Sequence, residues 1–290
     1  MRAMRLIATA DLHFNHPRSK ALAVELIERM NRAGGDVLLL AGDTAVADGE
    51  ALEQCLSLVK FAGPKLFLCG NHELWTRGAD SYAEFIERLP ARVRGLGWQW
   101  LETDPFRAGA TAIVGTVGWY DYGFASPLLG IPERFYAAKM SPAAARYLKR
   151  DDLRPDDVDV PSSAGAIFAR WNDGKFVKLG RSDAAFLDEC LARLEAHLGA
   201  VREAAHVVVA THCVPFRELL PPSHSGQWEF AKAYLGSPRM GELIRRNPNV
   251  RTAICGHSHF PAEHWFGSLR AINVGSGYRQ KGFVEVELAD

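Results

Sequence analysis

The chain has 290 residues, 48% hydrophobic and 23% charged, which is the composition of a well-packed globular protein and excludes a disordered or fibrous one. Lys plus Arg and Asp plus Glu each number 34, so the basic excess expected of a protein that lives on nucleic-acid backbones is missing. No run of about 18 apolar residues occurs, and no long apolar stretch follows the two arginines of Met1–Arg5 before Asp11, so neither a membrane helix nor an ordinary signal peptide is expected.

Short apolar runs recur along the chain, and each ends in a polar cluster. Leu6–Ala10 leads into Asp11-Leu12-His13. A helical pattern over 21–32 follows, with Leu22, Leu26, Ile27 and Met30 on one face and Gly34-Gly35 to end it. Val37–Ala41 then leads into Gly42-Asp43, and Leu66–Cys69 into Gly70-Asn71-His72-Glu73, with helices over 52–61 and 82–89. Thr111–Val117 leads into Gly118-Trp119-Tyr120-Asp121. Residues 120–181 break the pattern. They are aromatic, charged and proline-bearing, with a helix start at Ser141-Pro142, and they read as a cap inserted into a single domain spanning 1–290.

A helix over 183–198, capped by Ser182 or Asp183, precedes Val207–Thr211, which leads into His212. A helix over 240–246 precedes Thr252–Cys255, which leads into Gly256-His257-Ser258-His259. The last two runs, 269–274 and 283–288, are joined by a Gly-Ser-Gly-Tyr segment and are expected to pair as a hairpin-like edge. Consecutive Val, Ile and Leu in such short runs indicate strands buried on both faces, and their alternation with helices gives an α/β architecture. The five cysteines, Cys55, Cys69, Cys190, Cys213 and Cys255, show no paired spacing, which suggests reduced thiols in a cytoplasm.

Ligands of open α/β sheets bind beyond the carboxyl ends of the strands. Asp11, His13, Asp43, Asn71, His212, His257 and His259 all lie at such ends and should meet in one place. Hard oxygens mixed with imidazoles suit Mn, Fe or Zn better than Mg or Ca. Seven ligands are too many for one tetrahedral ion, so two divalent transition-metal ions are implied, Mn foremost, with a carboxylate such as Asp43 able to bridge them. Such a pair is suited to displacement at phosphorus.

These motifs also resemble the signature of the calcineurin-like metallophosphoesterases, from Asp11 through to His259. The resemblance implies a four-layer fold of two central sheets flanked by helices. It implies one metal held by Asp11, His13, Asp43 and His259, a second held by Asp43, Asn71, His212 and His257, and His72 as a catalytic histidine outside the coordination shell. The family's frequent second acid, three residues after the bridging Asp, is here Val46. Asp48, or a backbone carbonyl, is the substitute that would orient His72.

The resulting expectation is hydrolysis of a small phosphoester, as a phosphodiesterase or phosphatase, by a hydroxide held between the ions. A metal-dependent nuclease is the alternative, disfavoured by the neutral charge. A non-catalytic binding scaffold is disfavoured by the full set of ligands. Tyr120, Asp121 and His224 are candidate substrate contacts, together with neighbouring Trp119 and Tyr122. Arg170 and Arg181 are candidate phosphate ligands, and His16 reads as an exposed loop residue.

Overall fold

The computed structural model describes residues 3–288. Strand residues alternate between two faces, and in this chain both faces are apolar. In β1 (Met4–Thr9) and β2 (Val37–Ala41), Leu6, Ala8, Val37, Leu39 and Ala41 turn one way, while Ile7, Leu38 and Leu40 turn the other. With β3 (Lys65–Leu68) and β4 (Gln99–Trp100) these strands form a parallel set.

The second sheet contains β5 (Phe106–Ala108), β6 (Thr111–Thr116), β7 (His206–Thr211), β8 (Val250–Cys255), β9 (Ala262–Phe266) and β10 (Leu269–Asn273), in the order β5-β6-β7-β8-β10-β9. Its edge strands β5 and β9 are antiparallel to their neighbours. The first sheet is closed at one edge by β11 (Val284–Leu288), antiparallel to β1, so both sheets are mixed.

The inward faces of the two sheets meet in one apolar layer, where Leu6, Leu39 and Leu66 share a cluster with Ile113, Val208 and Ile254. The outward faces are covered by helices. Leu26, Ile27 and Met30 of the helix Pro17–Ala33 pack beside Leu38 and Leu40. Leu194 and Leu198 of the helix Asp183–Ala200, with Ile244, cover Val207 and Val209. The result is the expected four-layer α-β-β-α sandwich. Among the described residues, no helix is long and apolar enough to cross a membrane.

The expected pairing of the last two runs is wrong. β10 lies parallel to β8 and antiparallel to β9, whereas β11 belongs to the other sheet. The hairpin is β9–β10, turned at Gly267 with φ 62°. Its first strand, Ala-Glu-His-Trp-Phe, escapes an apolar-run reading because its outward residues are polar or exposed. The segment after β10 crosses between the sheets and carries Tyr278 past their carboxyl ends.

The first helix starts earlier than its apolar face suggests. His16 is its N-cap, accepting the Arg18 N–H on its ring, and Pro17 occupies the first turn. Ser182 caps the helix Asp183–Ala200 through the Ala185 N–H at 3.2 Å. Residues 120–181 fold into short helices around buried Trp119, Tyr120, Phe135 and Tyr136, which join the core on the first sheet's outer face.

Where the chain turns from β4 into the second sheet, Glu102 is fully buried. It accepts the Val117 N–H and pairs with Arg193 at 3.2 Å. Burial raises its pKa from 4.5 to about 7, against the opposing pull of Arg193 and the Val117 N–H. The folded chain therefore keeps this proton over a range in which the unfolded chain has released it. The contribution of Glu102 to stability falls as pH rises from 4.5 to about 7. Glu102→Gln keeps an acceptor for Val117 without the buried charge. Its urea midpoint should match the parent near pH 4.5 and exceed it at pH 8, by on the order of 3 kcal/mol once converted. A midpoint difference independent of pH would show that burial does not perturb this carboxyl.

Candidate metal centre

All six polar clusters sit where their strands end, on one side of the sandwich. Backbone hydrogen bonds zip the ends together. Asp11 N–H donates to the Gly42 carbonyl, His13 N–H to that of Asp43, and Gly256 N–H to that of His212. Asp11, His13, Asp43, His257 and His259 adopt left-handed backbone, with φ between 43° and 67°. Non-glycine residues adopt that conformation uncommonly, Asp and His more readily than most, and it carries strain that the surrounding structure must hold in place. Glycines beside the ligands leave room for other ligands. A Cβ on Gly70 would lie 2.2 Å from Asp43 Oδ1, and one on Gly256 would lie 2.4 Å from Asp11 Oδ2.

Six of the seven side chains converge as two groups sharing Asp43, and Asn71 meets the second group at His212. In one, His13 Nε2 lies 2.9 Å from His259 Nε2, 3.7 Å from Asp43 Oδ2 and 3.9 Å from Asp11 Oδ1. His259 Nε2 lies 3.3 Å from Asp11 Oδ1. In the other, His212 Nε2 lies 3.3 Å from Asp43 Oδ1, 3.2 Å from Asn71 Oδ1 and 3.1 Å from His257 Nδ1. All but His259 are almost wholly shielded from water.

Lone pairs facing one another in a dry space repel unless a proton or a cation lies among them. Burial opposes ionisation of Asp43, but the imidazoles of His212 and His72 outweigh it and hold the carboxyl well below the usual range. Burial likewise disfavours a charged His212, yet Asp43 reverses this and lifts its pKa to about 10. The donor set fits divalent metal ions.

The backs of the ligands are held too. His212 Nδ1 is 3.0 Å from the Ala41 carbonyl and His257 Nε2 is 3.0 Å from that of Tyr234. With each N–H donated there, the other ring nitrogen faces the centre, where a bound cation would take the place of its proton. Asn71 is oriented by Asp173, a fully buried residue of the inserted segment. Asp173 accepts Asn71 Nδ2 at 2.9 Å and Trp75 Nε1 at 2.6 Å on Oδ1, and the Tyr120 hydroxyl and Trp171 Nε1 on Oδ2.

His72 stands beside the ligands, its Nε2 3.7 Å from Asp43 Oδ2. Its ring stacks on Trp75 with centroids 3.7 Å apart and meets His13 edge-on at 4.5 Å. Burial lowers its pKa, against the pull of Asp43 and Asp173. Asp48 does not orient it. That carboxylate accepts the Arg77 N–H at 3.1 Å, because Asp48 lies in the loop that turns away from the centre. Stacking on Trp75 is what fixes the ring.

A cleft of about 670 Å³ opens above His13, His72 and His259, and a second lobe of about 270 Å³ reaches Asp43, Asn71 and His257. The expected substrate contacts do not line either lobe. Tyr120 is buried behind Asp173, Asp121 accepts the Ser237 hydroxyl at 2.9 Å, and His224 is exposed on its loop. Trp75, Asn172 and Tyr278 wall the larger lobe instead. Tyr278 stacks on His13 at 4.4 Å. His16 borders this lobe rather than standing free in a loop, and Arg170 borders the smaller one. Arg181 is turned away, paired with Glu189 and lying over the Tyr82 ring.

Tyr278, Trp75 and Asp173 were missed as site residues. Trp171-Asn172-Asp173 is conspicuous as a run, but its distance along the chain from Asn71 hides the contact. The Gly-Ser-Gly-Tyr segment reads as a turn until its two strands are placed in different sheets.

Residues 4–261 match the family model described as calcineurin-like phosphoesterase. A search of curated proteins finds no match. Among solved structures, the chain is similar to the phosphopantetheinyl hydrolase of Mycobacterium tuberculosis, with 22% identity, a TM-score of 0.67, and coverage of 96% of this chain and 92% of that one. It is also similar to a dimetal phosphatase from Danio rerio, with 15% identity, a TM-score of 0.56, and coverage of 100% and 94%. At these identities the two structures show a shared fold. The family model covers most of the chain and both ends of its ligand set, and the chain belongs to the calcineurin-like phosphoesterases, hydrolases of phosphoester bonds.

Proposed function

We propose that the protein hydrolyses a small phosphoester with two divalent transition-metal ions, Mn foremost. One would be held by Asp11, His13, Asp43 and His259, the other by Asp43, Asn71, His212 and His257. The observation that carries this reading is the sharing of Asp43 between two donor groups, buried but for His259. Paired ions at such a site supply Lewis acidity toward phosphoryl oxygens and an acidified water.

The chain's own residues do the rest. Asp173 and the Ala41 and Tyr234 carbonyls hold ligands in one orientation. Trp75 holds His72 at the cleft wall, where its imidazole donates a hydrogen bond or a proton to the leaving oxygen. Arg170, Trp171 and Asn172 of the inserted segment border the smaller lobe, which supports reading residues 120–181 as a cap that shapes the substrate pocket. Five buried cysteines, all unpaired, fit a reducing compartment such as the cytoplasm.

The reading is tested by metal content and turnover together. Protein loaded with Mn should hold close to two ions per chain by elemental analysis and should cleave bis(4-nitrophenyl) phosphate or 4-nitrophenyl phosphate. Asp43→Ala should lose both ions, and His13→Ala should weaken mainly one. Independent loss of single ions in the Asp43 variant would remove it as the bridge.

Asp173→Asn replaces an acceptor of four hydrogen bonds with a group that also donates. It should weaken one ion by about 10- to 100-fold, the usual cost of losing a ligand's supporting partner, and leave the other in place. Unchanged affinity for both ions would reduce Asp173 to a packing residue.

His72→Asn should keep both ions. Turnover of an alkyl phosphoester should fall by about a hundred- to ten-thousand-fold, with a much smaller loss on 4-nitrophenyl esters, whose leaving group needs no proton. Equal losses on both would assign His72 to charge stabilisation at phosphorus, and loss of an ion would place it in the coordination shell.

A further inference from the structure

Arginines in this protein are almost all engaged. Among the described residues, each reaches a carboxylate, a carbonyl, a hydroxyl or an aromatic face, with three exceptions. The exceptions are Arg18, Arg170 and Arg279, and all three border the cleft beside the candidate metal centre. Arg18 and Arg279 share the larger lobe with His13 and His259, and no Asp or Glu lines that lobe. They come from opposite ends of the sequence. Arg18 stands in the first turn of the helix Pro17–Ala33, and Arg279 follows Tyr278 in the loop that crosses between the sheets.

That first helical turn carries no acidic side chain. The positive end of the helix is thus not neutralised by a carboxylate of its own first turn. Arginine left without a partner, with its planar fork of donors, is suited to bidentate capture of phosphate. A cleft of about 670 Å³ also has the size of a site for a whole small molecule rather than for the reacting group alone.

We propose that Arg18 and Arg279 form a clamp for a second phosphate of the substrate, distinct from the phosphoryl group that reacts at the metal centre. The substrate class is then a phosphoester bearing a further phosphate on the same molecule. This rests on the phosphoesterase reading for the reacting group, but the clamp itself is a binding property with its own readout.

The test uses phosphonates, whose C–P bonds the enzyme does not hydrolyse. Calorimetric titration of the Mn-loaded protein compares butylphosphonate, butane-1,4-bisphosphonate and 5-phosphonopentanoate. The bisphosphonate should bind at least about tenfold more tightly than butylphosphonate, a difference of about 1.4 kcal/mol. Arg18→Ala/Arg279→Ala should bring the two within about twofold of each other, with metal content and melting temperature unchanged. Arg202→Ala/Arg246→Ala removes the same charge elsewhere and should keep the full preference.

Equal binding of the bisphosphonate and butylphosphonate by the parent overturns the clamp. So does a preference that survives in the Arg18/Arg279 variant, or one erased equally by the remote pair. A carboxylate probe that matches the bisphosphonate would overturn the phosphate assignment and give the arginines a carboxylate partner. A protein that hydrolyses 4-nitrophenyl esters but shows no bisphosphonate preference loses the clamp and keeps its activity. One with the preference and no turnover on any ester keeps the clamp and loses the hydrolytic reading.

Discussion

Four backbone N–H groups converge on the carboxylate of Glu73, and the position of the candidate metal centre depends on them. Gly70 and Asp43 donate to Oε2 at 2.8 and 2.9 Å, and Thr44 and Ala45 to Oε1 at 2.6 and 3.1 Å. These donors come from the loops that follow β2 and β3, so one side chain fixes the distance between the loop that carries Asp43 and the loop that carries Asn71 and His72. Asp43 closes the circuit by accepting the His72 N–H on Oδ1 at 2.9 Å. The carboxylate is wholly buried. Burial, with Asp43 nearby, raises its pKa to about 7, while His212 and the Gly70 and Ala45 N–H groups pull the other way. A carboxylate at such a cost is retained because nothing smaller satisfies four buried donors at once.

The same loops carry the backbone strain. Left-handed residues on Asp11, His13, Asp43, His257 and His259 let consecutive side chains turn into the centre from tight corners at strand ends. Each such corner is unfavourable alone. The corners persist because the inter-loop bonds over-determine them, with Asp11 tied to Gly42, His13 to Asp43 and the His257 N–H to both oxygens of Asp11. The candidate ligands are therefore held in place by the chain itself, and a bound cation would have only to relieve the crowding of lone pairs.

This division explains what the sequence discloses. The layers were legible because strands such as Val37–Ala41 are apolar on both faces, which requires cover on both sides. The convergence of these side chains was legible because hard and imidazole donors follow those strands directly. The partner of β11 was not legible, since Val284–Leu288 alternates like any edge strand and its pairing with β1 spans nearly the whole chain. The orienting role expected of Asp48 failed for a related reason. Proximity in sequence does not aim a side chain: Asp48 turns to the Arg77 N–H, and the ring three residues after His72, that of Trp75, stacks on its face instead.

Asp173 connects this rigid centre to the least regular part of the molecule. It belongs to residues 120–181, yet it orients Asn71, anchors Trp75 under His72 and accepts from Tyr120 and Trp171. The end of the inserted segment near Asp173 is thus bound to the candidate ligand Asn71, and to Trp75 beside His72, by buried, charge-assisted hydrogen bonds. Leu128 and Val158, farther out in the same segment, are exposed. Lifting Trp171 and Asp173 would release Asn71 from its orientation, so this end of the segment is fixed wherever Asn71 is fixed. The orientation of Asn71 and the part of the cleft wall formed by Arg170, Trp171 and Asn172 are therefore set by one continuous stretch of chain.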